Sequence, residues 1–300
     1  MKPKPHLVVV AGPTAVGKTS VSIEIAKHFN TEIVNADSRQ FYKEISIGTA
    51  VPSAEELAQV EHHLIQSHSV TTPINSGDYE EIGIELLDQL FKRQNIVVLT
   101  GGSGMFIDAL ANGIDTDLPK PDLKKRKELE NLNLTELQKK LLKLDPVYYN
   151  QVDLKNPHRL IRAIEVCLIT GKPYSALRKD KPKTRPFEIL KICLHEERAT
   201  LYDRINKRVD LMIESGLEKE ARSVEKFKDL KSLNTVGYSE WFLHFDGEIS
   251  KEETIEIIKR NSRRYAKRQL TWFKRDPQYH WFKKNQVKEI LELIHSKQSN

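Results

Sequence analysis

The octapeptide GPTAVGKT at residues 12–19 constrains the fold of this chain more than any other feature. It satisfies the pattern G-x-x-x-x-G-K-[S/T] and lies between the apolar run HLVVVAG and a helical pattern over residues 18–29. In a P-loop of this kind the glycines let the backbone wrap around phosphates, while amides and the helix N-terminus supply partial positive charge. The segment predicts a diphosphate cradle, and a plain glycine turn before a helix is the alternative.

Every residue of this loop is a candidate for contact with the diphosphate. Lys18 adds a full positive charge, and the Thr19 hydroxyl is a candidate magnesium ligand. The predicted binding set is Gly12, Pro13, Thr14, Ala15, Val16, Gly17, Lys18 and Thr19. The loop by itself does not distinguish ATP, GTP and a prenyl diphosphate.

The rest of the first third alternates short β-branched strands with helical patterns. EIVNAD and IVVLTGG read as strands, and residues 79–93 as a helix. This alternation is typical of a parallel sheet with helical crossovers. From about residue 115 the sequence becomes Leu- and Lys-rich and helical, and FEILKICLH then reads as a further strand. We therefore predict a P-loop α/β core at residues 1–114 and 187–300, with a mostly helical insertion domain at residues 115–186.

Polar residues follow two of the predicted strands. Ligands of open parallel sheets bind at the carboxyl ends of strands, so Gly12, Asp37 and residues 101–103 are expected in one crevice. Asp37 and its polar neighbours are able to hydrogen-bond a base edge, although Asp37 as a helix cap or turn residue is the alternative. Ser103 offers a hydroxyl, and its alternative role is to cap the following helix.

Positive charge is concentrated near the C-terminus. The chain carries a net charge of +6, and residues 259–275 contain eight Lys or Arg and no acid. Basic side chains neutralise phosphates, while aromatic rings stack on unpaired bases. RNA binding is one interpretation, a solvated basic helix is the other, and Trp272 and Phe273 read equally well as core residues. The residues concerned are Arg260, Arg263, Arg264, Tyr265, Lys267, Arg268, Trp272 and Phe273.

Three further features exclude other classes of protein. Cys167 and Cys193 stand alone in apolar stretches, which predicts small buried side chains. Adjacent His62 and His63 point in different directions and have no third ligand at useful spacing, so we predict a structural role or a hydrogen bond at the crevice edge. The chain has no apolar run near the ~18 residues of a membrane span and no signal-peptide pattern, so we expect a cytoplasmic protein.

The motifs occur in an order that resembles the tRNA dimethylallyltransferase (tRNA isopentenyltransferase) family, bacterial type. GPTAVGKT is followed by DSRQFY, IGTA, HHL, GGSGMF, NPHRLIRAIEV, RINKRVDLMIESGL, TVGYSE and YAKRQLTWF. The resemblance covers nearly the whole chain. It implies transfer of the dimethylallyl group from dimethylallyl diphosphate to the N6 amine of the adenosine 3′ to the anticodon, in tRNAs reading codons that start with U.

The resemblance also implies roles at matching positions. The P-loop would hold the diphosphate, with Lys18, Thr19 and magnesium neutralising charge on the leaving group. Arg208 would assist there, and Asp37 would receive the proton of the adenine amine. The implied tRNA contacts are Asp37, Ser38, Arg39, Gln40, Ser103, His158, Arg159, Leu160, Ile161 and Arg162.

The sequence departs from the family pattern at a few positions. Ser103 stands where Thr is usual and keeps the hydroxyl, whereas Phe106 replaces the usual Tyr and loses one. The helical insertion resembles the domain that closes on the anticodon stem. We expect the partners to be the tRNA anticodon stem-loop and dimethylallyl diphosphate, with no membrane, and the chain to act as a monomer.

Three rival functions remain open at this point. A P-loop kinase of a small metabolite would use Asp37 to activate a hydroxyl, but it would not require the basic C-terminal stretch. A non-catalytic RNA-binding protein would be expected to have lost Lys18, Thr19 or Asp37. A relative that prenylates free adenine nucleotide would not need the extended basic C-terminus.

Overall fold

The computed structural model describes residues 4–114, 118–178 and 182–298. The chain divides into two compact units, each described separately below. The first comprises Met1–Asn112 and Thr184–Asn300, and the second comprises Gly113–Lys183. These bounds differ by two or three residues from the domain limits that the composition suggests.

A six-stranded sheet, counted over the described residues, forms the centre of the first unit. All its strand pairs are parallel, in the order β3-β2-β4-β1-β5-β6. The strands are β1 (His6–Ala11), β2 (Ile33–Asn35), β3 (His62–His63), β4 (Ile96–Gly101), β5 (Glu188–Leu194) and β6 (His280–Phe282). The predicted α/β class with a parallel sheet is confirmed. β3 was not predicted because a two-residue strand leaves no alternation to read.

Apolar side chains cover both faces of the sheet. Along β1, Leu7, Val9 and Ala11 pack into one buried cluster, while Val8 and Val10 pack into the other. Strands buried on both faces read as continuous apolar runs, as HLVVVA does. The sheet is thus rigid, and its strand ends hold the following loops in place.

The helices of the first unit flank this sheet. α1 begins after Gly17, whose φ of 103° lies in the left-handed region that favours glycine. α3 begins with a capping box between Asn75 and Asp78. The helices are α1 (Lys18–His28), α2 (Ala54–Leu57), α3 (Ser76–Leu90), α4 (Gly104–Asn112), α10 (Arg198–Glu214), α11 (Leu217–Val224), α12 (Ser239–Phe245), α13 (Lys251–Phe273) and α14 (Val287–Gln298).

The second unit is helical where the structure describes it, as predicted for the insertion. Its helices are α5 (Leu123–Glu130), α6 (Leu134–Leu144), α7 (Pro146–Tyr149), α8 (Pro157–Thr170) and α9 (Tyr174–Leu177). Leu137, Leu141 and Ile164 pack in its own apolar core. Fully buried Glu165 accepts hydrogen bonds from Arg126 and Arg162, each at 2.8 Å, so this carboxylate is paired rather than left alone in the core.

Both cysteines are buried, as predicted. Cys193 lies on β5 and is fully buried, while Cys167 lies on α8. In the part of the chain that the structure describes, no helix combines the length and apolarity needed to cross a membrane.

Candidate active site

The P-loop connects β1 to α1 and requires glycine at its first position. Gly12 has a φ of 149°, and a Cβ there would lie 2.8 Å from the Leu194 carbonyl oxygen at the end of β5. Ala15, at the turn of the loop, has a φ of 62°. The adjacent strand therefore crowds the start of the loop, and any larger residue at Gly12 would displace it.

Lys18 lies at the first position of α1 and folds back over the loop. Its Nζ donates hydrogen bonds to the carbonyl oxygens of Gly12 at 3.1 Å and Pro13 at 2.8 Å. Burial lowers the pKa of Lys18 to about 8, Asp37 acts in the opposite direction, and Arg208 adds to the lowering. This ammonium is therefore short of counter-charge, which an anionic ligand would supply.

Arg208, on α10, brings a second cation to the same loop. Its Nη1 donates to the Thr14 hydroxyl at 3.2 Å. Burial lowers the pKa of this guanidinium, while the charge of Asp37 acts in the opposite direction. Lys18, Arg208 and Asp37 therefore lie close enough to perturb one another's charge, although they are far apart in sequence.

Gln269, on α13, was not identified from the sequence as a site residue. Its Oε1 accepts a hydrogen bond from the Thr14 amide at 2.9 Å, and its Nε2 donates to the Gly102 carbonyl at 2.9 Å. It therefore joins the P-loop to the loop after β4. Gln269 is buried, but in YAKRQLTWF it follows two basic residues. The sequence alone therefore does not distinguish it from a polar residue at the surface.

Asp37 follows β2 and lines the same cavity as Lys18 and Arg208. Its Oδ1 accepts from the Arg39 amide at 3.0 Å, and its own amide donates to Oδ1 of buried Asn35 at 3.0 Å. The turn-residue interpretation of Asp37 is thus correct for one oxygen. No described residue donates to the other oxygen, Oδ2, which remains available to a ligand.

The loops after β2 and β4 meet through two hydroxyl groups. Ser103 Oγ accepts from the Ser38 amide at 2.9 Å and donates to Ser38 Oγ at 3.0 Å. These bonds bring Ser103 to the segment that carries Asp37, as expected for strand ends in a parallel sheet. Ser103 therefore connects the two loops in addition to any contact with substrate.

The side-chain donors of Arg39 and Gln40 form hydrogen bonds within the protein. Arg39 donates to the carbonyl oxygens of Lys231, Ser232 and Asn234 at 3.0–3.3 Å. The side-chain amide of Gln40 donates to the carbonyl oxygens of Thr49 at 3.1 Å and Ala50 at 2.8 Å. The contact of both side chains with tRNA stays a prediction. The hydrogen bonds within the protein reduce the number of donors that each side chain has available for RNA.

A cavity of about 1090 Å³ contains these groups and is formed by the first unit. Its size suits a ligand at the upper end of the usual range of binding pockets. Thr19 contributes to its wall, and no described residue hydrogen-bonds its hydroxyl. The lining includes Thr14, Lys18, Thr19, Asp37, Ser38, Arg39, Gln40, Thr49, Arg208, Tyr265, Arg268 and Gln269.

The basic C-terminal stretch runs through the second half of α13 and two residues beyond it, and it is divided between core and surface. Phe273 is completely buried, so it belongs to the core and is excluded from stacking on bases. Trp272 donates from Nε1 to Asp108 at 2.8 Å and packs on Gly104. Tyr265 lines the cavity, and burial together with the charge of Asp37 raises its pKa to about 12. Of the three aromatic residues, Tyr265 alone reaches the cavity wall.

The proposed tRNA contacts at residues 158–162 need a correction. Leu160 and Ile161 are buried in the core of the second unit, so their side chains are excluded from contact with RNA. His158 and Arg159 are exposed at the start of α8. Arg162 is committed to Glu165 and to the Pro119 carbonyl, at 2.8 Å each. The side chains of Leu160 and Ile161 thus serve the core, and contact of tRNA with His158, Arg159 and the half-buried Arg162 stays a prediction.

The two histidines of HHL point in different directions, as predicted. Nδ1 of His62 lies 2.8 Å from the Val60 carbonyl oxygen, and His62 lines the cavity. His63 lies 2.6 Å from Glu32 and within reach of Glu61. The sequence offered no third ligand near His63, whereas the fold brings both carboxylates to it. Arg93 and Gln94 already hydrogen-bond Glu32, so we assign this group to an ion-pair network at the sheet edge.

Phe106, where the resemblance leads one to expect Tyr, is a core residue. Its ring stacks on Tyr79 at 4.8 Å between centroids and lies 5.7 Å from Phe41. Buried Tyr79 in turn donates its hydroxyl to the Asn35 carbonyl oxygen at 3.0 Å. An aromatic hydroxyl is therefore absent from position 106, and the ring supports the loop that carries Asp37.

The fold and the site together define a P-loop α/β protein whose cavity is lined by two cations and a carboxylate. The IPP transferase family matches residues 40–276, and the chain belongs to this family. A tRNA dimethylallyltransferase of Christiangramia forsetii is 50% identical over 298 residues, covering 97% of this chain and 98% of that protein.

Two solved structures are also similar. A full-length tRNA isopentenylpyrophosphate transferase from Bacillus halodurans has a TM-score of 0.75 and 36% identity, covering 99% of this chain and 97% of its own. A eukaryotic dimethylallyltransferase acting on tRNA has a TM-score of 0.76 and 26% identity, covering 89% of this chain and 69% of its own.

Proposed function

We propose that this protein is a tRNA dimethylallyltransferase. It transfers the dimethylallyl group of dimethylallyl diphosphate to N6 of the adenosine 3′ to the anticodon and releases diphosphate. The observation that carries the proposal is one cavity lined by Lys18, Arg208 and Asp37, in which the charge of Asp37 acts on both cations. The names of the relatives and of the solved structures support the same reaction.

On the donor side, the loop amides and the two cations bind the diphosphate. Negative charge develops on the diphosphate as the allylic carbon–oxygen bond breaks, and nearby cations stabilise that charge more than they stabilise the bound substrate. Burial of Lys18 and Arg208 strengthens the effect because the local dielectric constant is low. Lys18 would exchange its two carbonyl acceptors for phosphate oxygens.

Magnesium fits this donor side. Mg²⁺ prefers oxygen ligands, and the free Thr19 hydroxyl at the start of α1 together with diphosphate oxygens supplies them. Bound there, it would neutralise part of the leaving-group charge. Thr19 is the protein ligand that we assign to it.

On the acceptor side, Asp37 takes the proton of the adenine amine as nitrogen attacks the allylic carbon. Its Oδ2 is available, and Oδ1 is held in place by the Arg39 amide. An adenine amine is a weak nucleophile, so a carboxylate within hydrogen-bond reach is required in the transition state. Ser38, Gln40 and Ser103 lie beside it and contact the base, which must leave the anticodon stack to enter the cavity.

We further infer that exposed basic residues of α13 and the His158–Arg159 pair of α8 bind the tRNA backbone. Arg264 and Lys267 are exposed, and Arg268 lines the cavity over the ring of Tyr265. A single chain supplies every group in the proposed reaction, which supports action as a monomer. The tRNA substrate supports a cytoplasmic location.

The test is transfer from labelled dimethylallyl diphosphate, with magnesium, to unmodified tRNA and to free AMP in parallel. Label on tRNA alone is the expected result. Label on AMP would reassign the acceptor to free nucleotide. Label on neither, with ATP consumed instead, would replace the proposal with a small-molecule kinase.

A further inference from the structure

Glu220, on α11, gathers an unusual number of hydrogen-bond donors around one carboxylate. It accepts from the amides of Ser46, Ile47 and Gly48 at 2.8–3.1 Å and from the Ser46 hydroxyl at 3.0 Å. The hydroxyl of Tyr238 adds a fifth donor at 2.5 Å. One acidic side chain therefore holds three consecutive backbone amides of the loop that follows DSRQFY.

This loop leads directly to the cavity wall. Gly48, Thr49 and Ala50 line the cavity. The amides of Ile47 and Gly48 are bound by Glu220, while the next two carbonyl oxygens, of Thr49 and Ala50, accept from Gln40. A Cβ on Gly48 would collide with the ring of Tyr238, so the loop packs closely against Tyr238 while Glu220 binds its amides.

The two carbonyl oxygens determine which way the Gln40 amide faces. Its NH₂ group has to point toward them, because the opposite orientation would place three oxygens against one another. Oε1 then lies on the other side of the amide, and no described residue donates to it. Gln40 consequently offers the cavity a hydrogen-bond acceptor and no free donor.

We propose that Glu220 is a positioning residue for the acceptor substrate. It holds residues 46–50 so that the Thr49 and Ala50 carbonyls fix Gln40 with Oε1 toward a hydrogen-bond donor of the bound nucleotide, such as an amino group of a base. The inference rests on the proposed function for the identity of the nucleotide. It assigns Glu220 no contact with substrate and no part on the diphosphate side.

Glu220→Gln tests the contact with little change of shape. The new NH₂ group would face backbone N–H donors, so the loop would lose its position. The expected result is a KM for tRNA raised by about fivefold or more, with the KM for dimethylallyl diphosphate within about twofold of the wild-type value. Glu218→Gln is the matched control, because Glu218 lies on the same helix and pairs with Lys251 at the surface; it should leave both constants unchanged.

A double-mutant cycle separates positioning from a general structural role. If Glu220 acts through Gln40, Glu220→Gln should add little to the effect of Gln40→Ala on the KM for tRNA. Full additivity of the two effects, or an equal rise in both KM values, would overturn the proposal. Tyr238→Phe removes one hydrogen-bond donor to Glu220 and keeps the carboxylate, so it is the variant to use if Glu220→Gln fails to fold. We expect a smaller rise in the KM for tRNA. An unchanged KM for tRNA would contradict the proposal.

Amide hydrogen exchange gives a readout that does not depend on the reaction. Exchange at Ile47 and Gly48 should accelerate in Glu220→Gln and remain at the wild-type rate in Glu218→Gln. Unchanged protection would overturn the inference. Absence of transfer by the wild-type protein would instead reject the proposed function, and the exchange result would still decide whether Glu220 holds this loop.

Discussion

The side-chain carbonyl of Gln269 accepts a hydrogen bond from the Thr14 amide at 2.9 Å, so a residue of α13 holds the first turn of the P-loop. The same side chain donates to Gly102 at the end of β4. Gly102 leaves no space for a Cβ beside this amide. Gln269 therefore joins the loop after β1 to the loop after β4.

Gln269→Ala should destabilise the fold and weaken dimethylallyl diphosphate binding. The substitution leaves the buried Gly102 carbonyl without its partner, at a cost of about 1–3 kcal/mol. It also removes the partner of the half-buried Thr14 amide, which holds the P-loop. Urea unfolding and direct binding measurements would show both effects. Thr271→Ala, at an exposed position of the same helix, is the control. Equal stability of the two variants would contradict the assignment of Gln269 as the link between the two loops.

Binding of dimethylallyl diphosphate should weaken as the pH rises through about 8. Lys18 has its pKa lowered to about 8, so it is charged below that pH and neutral above it. If the charged form alone binds, affinity falls by about tenfold between pH 7 and pH 9. Lys18→Arg keeps its charge over this range, and its profile should be flat apart from ionisation of the ligand. An equal loss in that variant would remove Lys18 as the cause.

Asp37→Ala should abolish transfer and leave most of the affinity for tRNA. Asp37→Asn is the sharper variant, because an asparagine keeps the oxygen that accepts from the Arg39 amide. It removes the charge and replaces Oδ2, the proposed base, with an NH₂ group of nearly the same size. We expect kcat to fall by about a hundredfold or more in Asp37→Asn. Single-turnover transfer and tRNA binding measure the two quantities. Near-normal transfer by Asp37→Asn would eliminate Asp37 as the base.

Neighbouring residues of α8 should respond in opposite ways to substitution. Arg159→Ala should weaken tRNA binding uniformly and reduce the slope of log affinity against log salt by about 1, without loss of stability. Leu160→Ala should cost about 2–5 kcal/mol of stability, because Leu160 is fully buried. Salt titrations and urea melts distinguish them. A Leu160→Ala variant that melts like the wild type would contradict the assignment of Leu160 to the core.

The sequence predicted the parts of the molecule that depend on local pattern. The P-loop lies between β1 and α1, and β5 lies at FEILKICLH, because buried parallel strands read as apolar runs bounded by turns. The same reasoning predicted that Asp37 and Ser103 lie at neighbouring strand ends. In the structure, the amide of Ser38, the residue after Asp37, donates a hydrogen bond to the Ser103 hydroxyl. These inferences needed only the periods of helices and strands and the geometry of a parallel sheet.

The sequence did not predict groups whose meaning comes from distant partners. Gln269 and Glu220 sit among charged neighbours and look like surface residues, yet each organises a loop more than 150 residues away. Leu160 and Ile161 lie within a motif matched as a whole, and only the helical face decides which of its members reach solvent. Whether such a residue is buried or lies at the surface depends on the residues that it contacts in the folded chain, and composition does not reveal those contacts.

The position of the second unit in the chain has a consequence for synthesis. β1 pairs along all six of its residues with β4 on one side and β5 on the other, and β5 is translated only after residues 113–183. From the end of β4 at Gly101 to the end of β5 at Leu194 the ribosome adds 93 residues. At typical rates of about 5–20 residues per second, β1 therefore waits roughly 5–19 s after β4 for its second neighbour. During that interval a nascent chain carries β1 as an apolar edge open to other strands. The strand that leads into the P-loop is therefore the one that stays exposed to wrong pairing until β5 has been made.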